Sequence, residues 1–83
     1  MIQTAFEIMT DKQEIRKKLG HSIKVRRVEK ALKQAELAAR VGMLQTQLSD
    51  IERGVRPLYV DQLITLAEAL DCPASYLLGE EAR

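Results

Sequence analysis

Apolar residues recur along this chain at the spacing of α-helices, and no stretch alternates as a β-strand would. The clearest example is Leu63, Leu66, Ala67 and Leu70, which fall at i, i+3, i+4 and i+7 and so line one face of a helix. Prolines, which interrupt helices, occur only at positions 57 and 73. The pattern predicts an all-α protein.

Capping residues and glycines divide this pattern into five short helices around one core. Thr10 and Gln13 resemble a capping box that starts a helix near Asp11. Gly20 weakens that helix and indicates two segments, with helix 1 proper running over about 20–31. The remaining helices are predicted over about 34–41, 45–53, 60–70 and 73–78. Glycines at 42, 54 and 79 follow three of them and are suited to end a helix.

A chain of 83 residues can build one small domain around a single core. We expect an N-terminal extension over residues 1–18, helical from about residue 11, then a domain over 19–79 and a short tail over 80–83. The start of the extension carries four large apolar residues: Ile2, Phe6, Ile8 and Met9. These residues could pack on the domain, join a partner or fray.

Charge is distributed unevenly although the net charge is only +1. Residues 12–40 hold ten Lys or Arg against three acids, a net +7. Residues 50–83 hold three Arg against seven acids, a net −4, and residues 1–11 add −2. The basic half suggests a polyanionic partner such as nucleic acid, although a solvated helix face explains the same charges.

The scarcity of Cys and His excludes several classes of site. With only Cys72 and His21, the chain has no intrachain disulfide and no Cys-based zinc site, and we expect no cofactor or metal. No glycine-rich phosphate loop or paired-carboxylate cluster is present, which argues against an enzyme. The sequence lacks a signal-peptide pattern and a membrane-spanning apolar run, so we expect a cytoplasmic protein without membrane association.

The predicted helix over 45–53 presents an unusual outer face. On a helical wheel, Leu44, Leu48 and Ile51 cluster on the core side. The opposite side carries amides, hydroxyls and ions instead of lysines: Gln45, Thr46, Ser49, Asp50 and Arg53. Glutamine can pair with adenine and hydroxyls can contact many base edges, so this face suits the major groove of DNA. Arg53 could reach guanine or, at the helix end, a phosphate.

The preceding helix has the features of a scaffold for that face. Ala38 is small where the two helices must approach closely, and Gly42 allows a sharp turn between them. Gln34, at the start of the helix, can direct its amide to a phosphate. One helix across the backbone and the next in the groove is the helix-turn-helix geometry.

The blocks QAELA at 34–38, Gly42 and LSDIERG at 48–54 resemble the helix-turn-helix family of phage repressor and Cro proteins and their bacterial relatives, the XRE type. The segments DQLITLAEAL at 61–70 and PASYLLG at 73–79 are similar to the last two helices of that family. The resemblance covers about residues 19–79. It implies a compact, lambda-repressor-like five-helix domain that binds double-stranded operator DNA as a homodimer and acts as a transcriptional repressor.

The same resemblance implies roles for individual residues. Gln45, Thr46 and Asp50, together with Ser49 from the wheel, would read bases in a near-palindromic operator. It also implies a phosphate contact by Gln34, and we expect further phosphate contacts from Gln47, Arg53 and Arg56. The resemblance also implies a structural ion pair between Arg27 and Glu52.

Departures from the family pattern leave some points open. Ala31 stands where the family usually has glycine, and Lys33, Leu44 and Tyr59 stand where Ser or Thr caps are usual, so the starts of helices 2 to 4 are open. Asp50 either accepts a hydrogen bond from cytosine or weakens binding by repelling phosphates. A different function, an antitoxin-type module that also binds a toxin or another protein, is the alternative. A stable hetero-complex from the native host would favour it.

Overall fold

The computed structural model describes residues 12–79, which form five α-helices and contain no strand. The helices are α1 Lys12–Glu29, α2 Gln34–Arg40, α3 Gln45–Arg53, α4 Val60–Ala69 and α5 Ala74–Leu77. The all-α, five-helix architecture expected from the sequence is therefore confirmed. Three expected features lie outside the described residues: the capping box at Thr10, residues 1–11 of the N-terminal extension, and the tail over residues 80–83.

A single apolar core joins all five helices. Each helix directs at least one fully buried side chain into it, and the core consists of Ile23, Leu37, Ala38, Leu48, Ile51, Leu66, Ala67, Leu70 and Leu77. Burying one leucine or isoleucine side chain contributes about 1.5–3 kcal/mol. Within the core, α1 and α3 make the most extensive helix–helix contact. The position of α3, the predicted reading helix, is therefore set mainly by α1.

The break predicted at Gly20 is wrong, because α1 runs without interruption from Lys12 to Glu29. Gly20 is buried against the backbone of α3, and a Cβ there would lie 2.7 Å from the carbonyl oxygen of Glu52 and closer still to that of Ile51. The residue is glycine because the two helices approach each other at this point. The expected boundary between residues 18 and 19 falls inside this continuous helix.

Helices α2, α3 and α4 begin near the expected positions without Ser or Thr caps. Their N-cap residues are Lys33, Leu44 and Tyr59, and no side chain of these accepts a capping hydrogen bond. Instead, the third residue of each helix accepts a hydrogen bond from the N-cap backbone N–H, at 2.8 Å for Glu36, 3.0 Å for Gln47 and 3.1 Å for Gln62. This contact is one of the two hydrogen bonds of a capping box, and it gives the backbone N–H of each N-cap residue a partner.

Ala31 adopts the backbone conformation that the family's glycine would adopt. Its φ is +58°, in the left-handed region, where a Cβ costs about 1–2 kcal/mol. The turn is held by hydrogen bonds from the N–H of Ala31 to the carbonyl of Val28 and from the N–H of Leu32 to that of Arg27. The turn therefore forms without glycine, and its backbone strain lies in Ala31.

Candidate nucleic-acid interface

The turn between α2 and α3 sets the two helices of the motif against each other. Gly42 has a φ of +71° and lies in open space, so this conformation is the reason for glycine at the turn. The N–H of Met43 returns to the carbonyl of Ala38 at 2.9 Å, and Ala38 itself is buried. The turn thus brings the N-termini of α2 and α3 to one side of the molecule.

The outer face of α3 has the composition expected from the helical wheel. Leu48 and Ile51 lie in the core, whereas Gln45 and Thr46 are exposed and Ser49 is half-buried. Hydroxyl and amide groups therefore stand on the open side of a helix whose apolar side is fully packed. Such a face can present donors and acceptors to base edges.

Leu44 is exposed over 67% of its surface, so its expected place on the core side is wrong. It is the N-cap of α3, with extended φ and ψ of −75° and 149°, and the helical register does not extend to it. Its side chain consequently stands at the tip of α3, beside the exposed face. An apolar group there can contact the methyl group of thymine. The sequence signal for this was its place one residue before the helix.

Arg27 and Glu52, the pair expected to join helix 1 to helix 3, form a two-pronged ion pair. The Arg27 Nε donates to Glu52 Oε2 at 2.7 Å and Nη2 donates to Oε1 at 3.0 Å. The side chains are 11% and 2% exposed, respectively. Arg27 Nη1 also donates to the carbonyl of Leu32 at 2.8 Å. The pair therefore joins α1, the following turn and α3 in one buried polar cluster.

Gln34 connects this cluster to the exposed face. Its Nε2 donates to Glu52 Oε1 at 2.9 Å, and its Oε1 accepts from Gln45 Nε2 at 3.4 Å. The chain of contacts runs from Arg27 through Glu52 and Gln34 to Gln45. Gln34, which was expected to contact a phosphate, therefore orients Gln45, which was expected to read a base.

Gln47 has a structural partner as well as its expected role. Its Oε1 caps the backbone N–H of Leu44, and the side chain is half-buried. The side-chain NH₂ of the same amide carries two donors, which the contact with Leu44 does not use. Any phosphate contact by Gln47 must therefore come from this group.

Asp50 lies between the two arginines that were expected to contact phosphates. Its Oδ1 accepts from Arg53 Nη2 at 2.6 Å, and its Oδ2 is 3.9 Å from Arg56 Nε. The side chains of Asp50, Arg53 and Arg56 are 35%, 63% and 44% exposed, so water screens both pairs. The sequence suggested a lone carboxylate facing DNA; the structure places two positive charges beside it. The local net charge is positive, which reduces the expected repulsion of phosphates.

The described residues hold no group of three or more His, Cys, Asp or Glu side chains placed to bind a metal ion. Every buried side-chain nitrogen or oxygen within residues 12–79 has a hydrogen-bond partner. In the same range, no helix combines the length and the apolar character needed to cross a membrane.

Comparison with known proteins gives the same picture. Over 38 residues the chain is 60% identical to the ImmF control region 10 kDa protein of Bacillus phage phi105; the match covers 46% of this chain and 42% of that protein. The restriction-modification controller protein C.AhdI from Aeromonas hydrophila is similar in structure, with a TM-score of 0.71 and 31% identity over 74% of this chain and 92% of that one.

A second solved structure, the clp gene regulator ClgR from C. glutamicum, superimposes with a TM-score of 0.77 and 27% identity, over 80% of this chain and 85% of that one. The sequence profile of the helix-turn-helix family HTH_3 matches residues 23–77, which is most of the chain. With its five helices, its turn at Gly42 and its packed α2 and α3, this chain belongs to the helix-turn-helix family HTH_3.

Proposed function

We propose that this protein is a DNA-binding transcriptional regulator, a repressor that acts as a homodimer and recognises a near-palindromic operator with α3 in the major groove. It would act in the cytoplasm. The observation that carries the proposal is the exposed polar face of α3, in which Gln45 is oriented by Gln34 and, through it, by the buried Arg27–Glu52 pair. Helix-turn-helix membership and the likeness to control-region and controller proteins support it.

The proposed base contacts come from the N-terminal half of α3. Gln45 donates to and accepts from adenine, Thr46 and Ser49 contact neighbouring base edges, and Leu44 packs on a thymine methyl group. The prior orientation of Gln45 matters because a restrained amide loses less conformational entropy on binding. Asp50 faces the same groove and reads cytosine N4 when its bond to Arg53 opens.

The proposed phosphate contacts surround this face. Gln34 lies at the N-terminus of α2, where backbone N–H groups and the helix dipole favour an anion. Arg53 and Arg56 flank the other end of α3, and Gln47 offers its NH₂ group between the two ends. Phosphate contacts fix the register of a protein on the duplex and strengthen binding to every sequence.

We propose a homodimer because the operator must be long enough to be specific. A protein with one reading helix specifies only a few base pairs, whereas two copies read two half-sites about 34 Å apart, one turn of B-DNA. The matching symmetry of protein and operator predicts a near-palindromic site.

Selection of bound sites from random duplexes, combined with the solution mass of the full chain, tests the proposal. We expect a palindromic consensus and the mass of a dimer on DNA. Failure to enrich any sequence at low salt, where phosphate contacts are strongest, would contradict it. A stable hetero-complex with a second protein would support the antitoxin-type alternative instead.

Single substitutions assign the individual contacts. We expect Gln45→Ala to lose about 1–3 kcal/mol on the selected site and to relax specificity at one base pair. Gln34→Ala should weaken binding to all sequences and, because it orients Gln45, should also relax specificity at that same base pair. Specificity that is unchanged in both variants would contradict the assignment of Gln45.

Asp50→Asn separates two roles for the carboxylate. If Asp50 reads cytosine, the variant loses discrimination at one position of the selected site. If it only restrains Arg53 and Arg56, the variant binds all sequences more tightly and shows a steeper salt dependence, since both arginines are then free for phosphates. The proposal expects the first result, measured by titration of matched operators that differ at one base pair.

A further inference from the structure

An apolar groove lies between α1 and the end of α5, on residues that the proposed DNA contacts do not use. It has a volume of about 620 Å³, and its apolar lining is Ile15, Leu19, Leu77 and Leu78. Ile15 and Leu78 are each 48% exposed, so large apolar side chains are left open to water at its rim. Lys17 and Lys18 supply positive charge along one side.

A smaller depression of about 320 Å³ continues the groove along α1. It is lined by His21, Ser22, Val25 and Tyr76, of which the first two also line the larger groove. The groove and this depression together follow α1 for several turns. Contiguous exposed apolar surface often marks a site where another protein segment binds.

We propose that residues 1–11 of the same chain bind in this groove, as an amphipathic segment that packs against α1 and α5. The sequence of the segment supports this occupant. Ile2, Ala5, Phe6 and Met9 fall at i, i+3, i+4 and i+7, the spacing of an apolar helical stripe. The eight residues from 2 to 9 span about 12 Å as a helix, close to the roughly 10 Å of α1 between Ile15 and Ser22.

Connectivity also favours this occupant. The segment joins α1 at Lys12, three residues before Ile15. A reversal of direction near Thr10, the expected N-cap, would return it along α1 and over the groove. Eleven residues reach at most about 36 Å when extended, several times the length of the groove. A tether this short holds a segment at an effective concentration of about millimolar, which helps even a weak contact.

Charge distinguishes this occupant from a second copy of the chain. Residues 1–11 contain Glu7 and Asp11 and no basic residue, so the segment as a whole is opposite in charge to Lys17 and Lys18, with both acids on the side of the helical pattern away from the apolar stripe. A two-fold contact between two grooves would bring the same lysines of both copies together, and like charges would then oppose each other. The family profile begins at residue 23, so residues 1–11 lie outside the part of the chain that it matches.

Paramagnetic broadening in the full-length protein tests the proposal. A spin label is attached at position 3 through Gln3→Cys in a Cys72→Ala background, and the signals of Leu19, Ser22 and Leu78 are recorded. These signals should lose most of their intensity. The signal of Glu29, about 21 Å farther along α1 than Ile15, should keep its intensity and serves as the internal reference.

Two further samples separate the possible occupants. Phe6→Ala, which removes the centre of the apolar stripe, should restore most of the lost intensity at Leu78, whereas Thr4→Ala on the opposite side of the same pattern should leave the broadening unchanged. A mixture of isotope-labelled chains without spin label and unlabelled chains with it should show no broadening at Leu78. Broadening in the mixture would assign the groove to a second copy and overturn the proposal. An unbroadened Leu78 in the spin-labelled chain would overturn it as well. Neither result depends on DNA binding.

Discussion

Removal of the Glu52 carboxylate should strongly destabilise the fold, because it leaves a buried guanidinium without its partner. The carboxylate accepts three hydrogen bonds, two from Arg27 and one from Gln34, at 2.7, 3.0 and 2.9 Å. Its side chain is 2% exposed and that of Arg27 only 11% exposed. Glu52→Ala leaves a mostly buried guanidinium with the carbonyl of Leu32 as its remaining acceptor.

A buried charge that loses its partner costs about 3–5 kcal/mol. Domains of this size have total stabilities near the lower end of about 5–15 kcal/mol, so Glu52→Ala should lose most of its stability. Glu52→Gln keeps the shape and one acceptor oxygen but loses the charge. We expect it to lose about 1.5–3 kcal/mol, the contribution of a hydrogen bond to a charged group, and to remain folded.

Urea unfolding of each variant, followed by circular dichroism, measures these losses. Glu29→Ala is the matched control, because Glu29 also pairs with an arginine of α1, at 3.4 Å from Arg26, but is 48% exposed. That exposed pair should contribute less than about 1 kcal/mol.

A double variant, Arg27→Met with Glu52→Leu, completes the test. Replacing both charges with apolar groups of similar volume is often neutral or stabilising, so the double variant should be more stable than Glu52→Ala alone. The reasoning is refuted if Glu52→Ala loses no more than Glu29→Ala. It is equally refuted if the double variant is no more stable than Glu52→Ala, because the stranded charge would then not be the cause.

Three further predictions concern positions outside the polar cluster. Gly20→Ala should destabilise the protein by about 1–3 kcal/mol despite the higher helix propensity of alanine, because its Cβ would meet the backbone of α3; a gain in urea midpoint would contradict this close approach. Ala31→Gly should raise the free energy of unfolding by up to about 1 kcal/mol, since the strain at φ +58° exceeds the chain entropy that glycine adds; no gain would mean that the turn is not strained. Burial raises the pKa of the Cys72 thiol despite the nearby Arg26 guanidinium, so at pH 8 iodoacetamide should alkylate the folded protein more slowly than the urea-unfolded chain; equal rates would contradict it.

The helices could be predicted from the sequence because each is specified by local rules. The period of the apolar residues set the helices over 34–40, 45–53 and 60–69 to within one or two residues. The same period assigned Leu48 and Ile51 to the core and the amides and hydroxyls of α3 to the outside. These features depend on helical geometry alone, which is fixed by residues three and four positions apart.

Tertiary structure decided the features that depend on residues far apart in the chain. Gly20 was expected to break a helix, since its propensity is low; in the fold it permits contact with the backbone of Glu52, thirty-two positions later. Leu44 was placed in the core by a helical wheel that does not apply to the residue before the helix, and the fold leaves it exposed at the tip of α3.

For the polar contacts of the site, too, the sequence determined some features and the tertiary structure determined others. The residue types that make up the outer face of α3 are evident in the sequence, and they predict a surface that can read bases. Two arrangements depend on how α2, α3 and the following loop are placed relative to one another. Gln34 bridges Glu52 and Gln45. Asp50 lies between Arg53 and Arg56. The sequence by itself therefore determined which side chains are available on this helix. Only the packing of the helices decided which of them are held in place, because hydrogen bonds require positions accurate to a few tenths of an ångström.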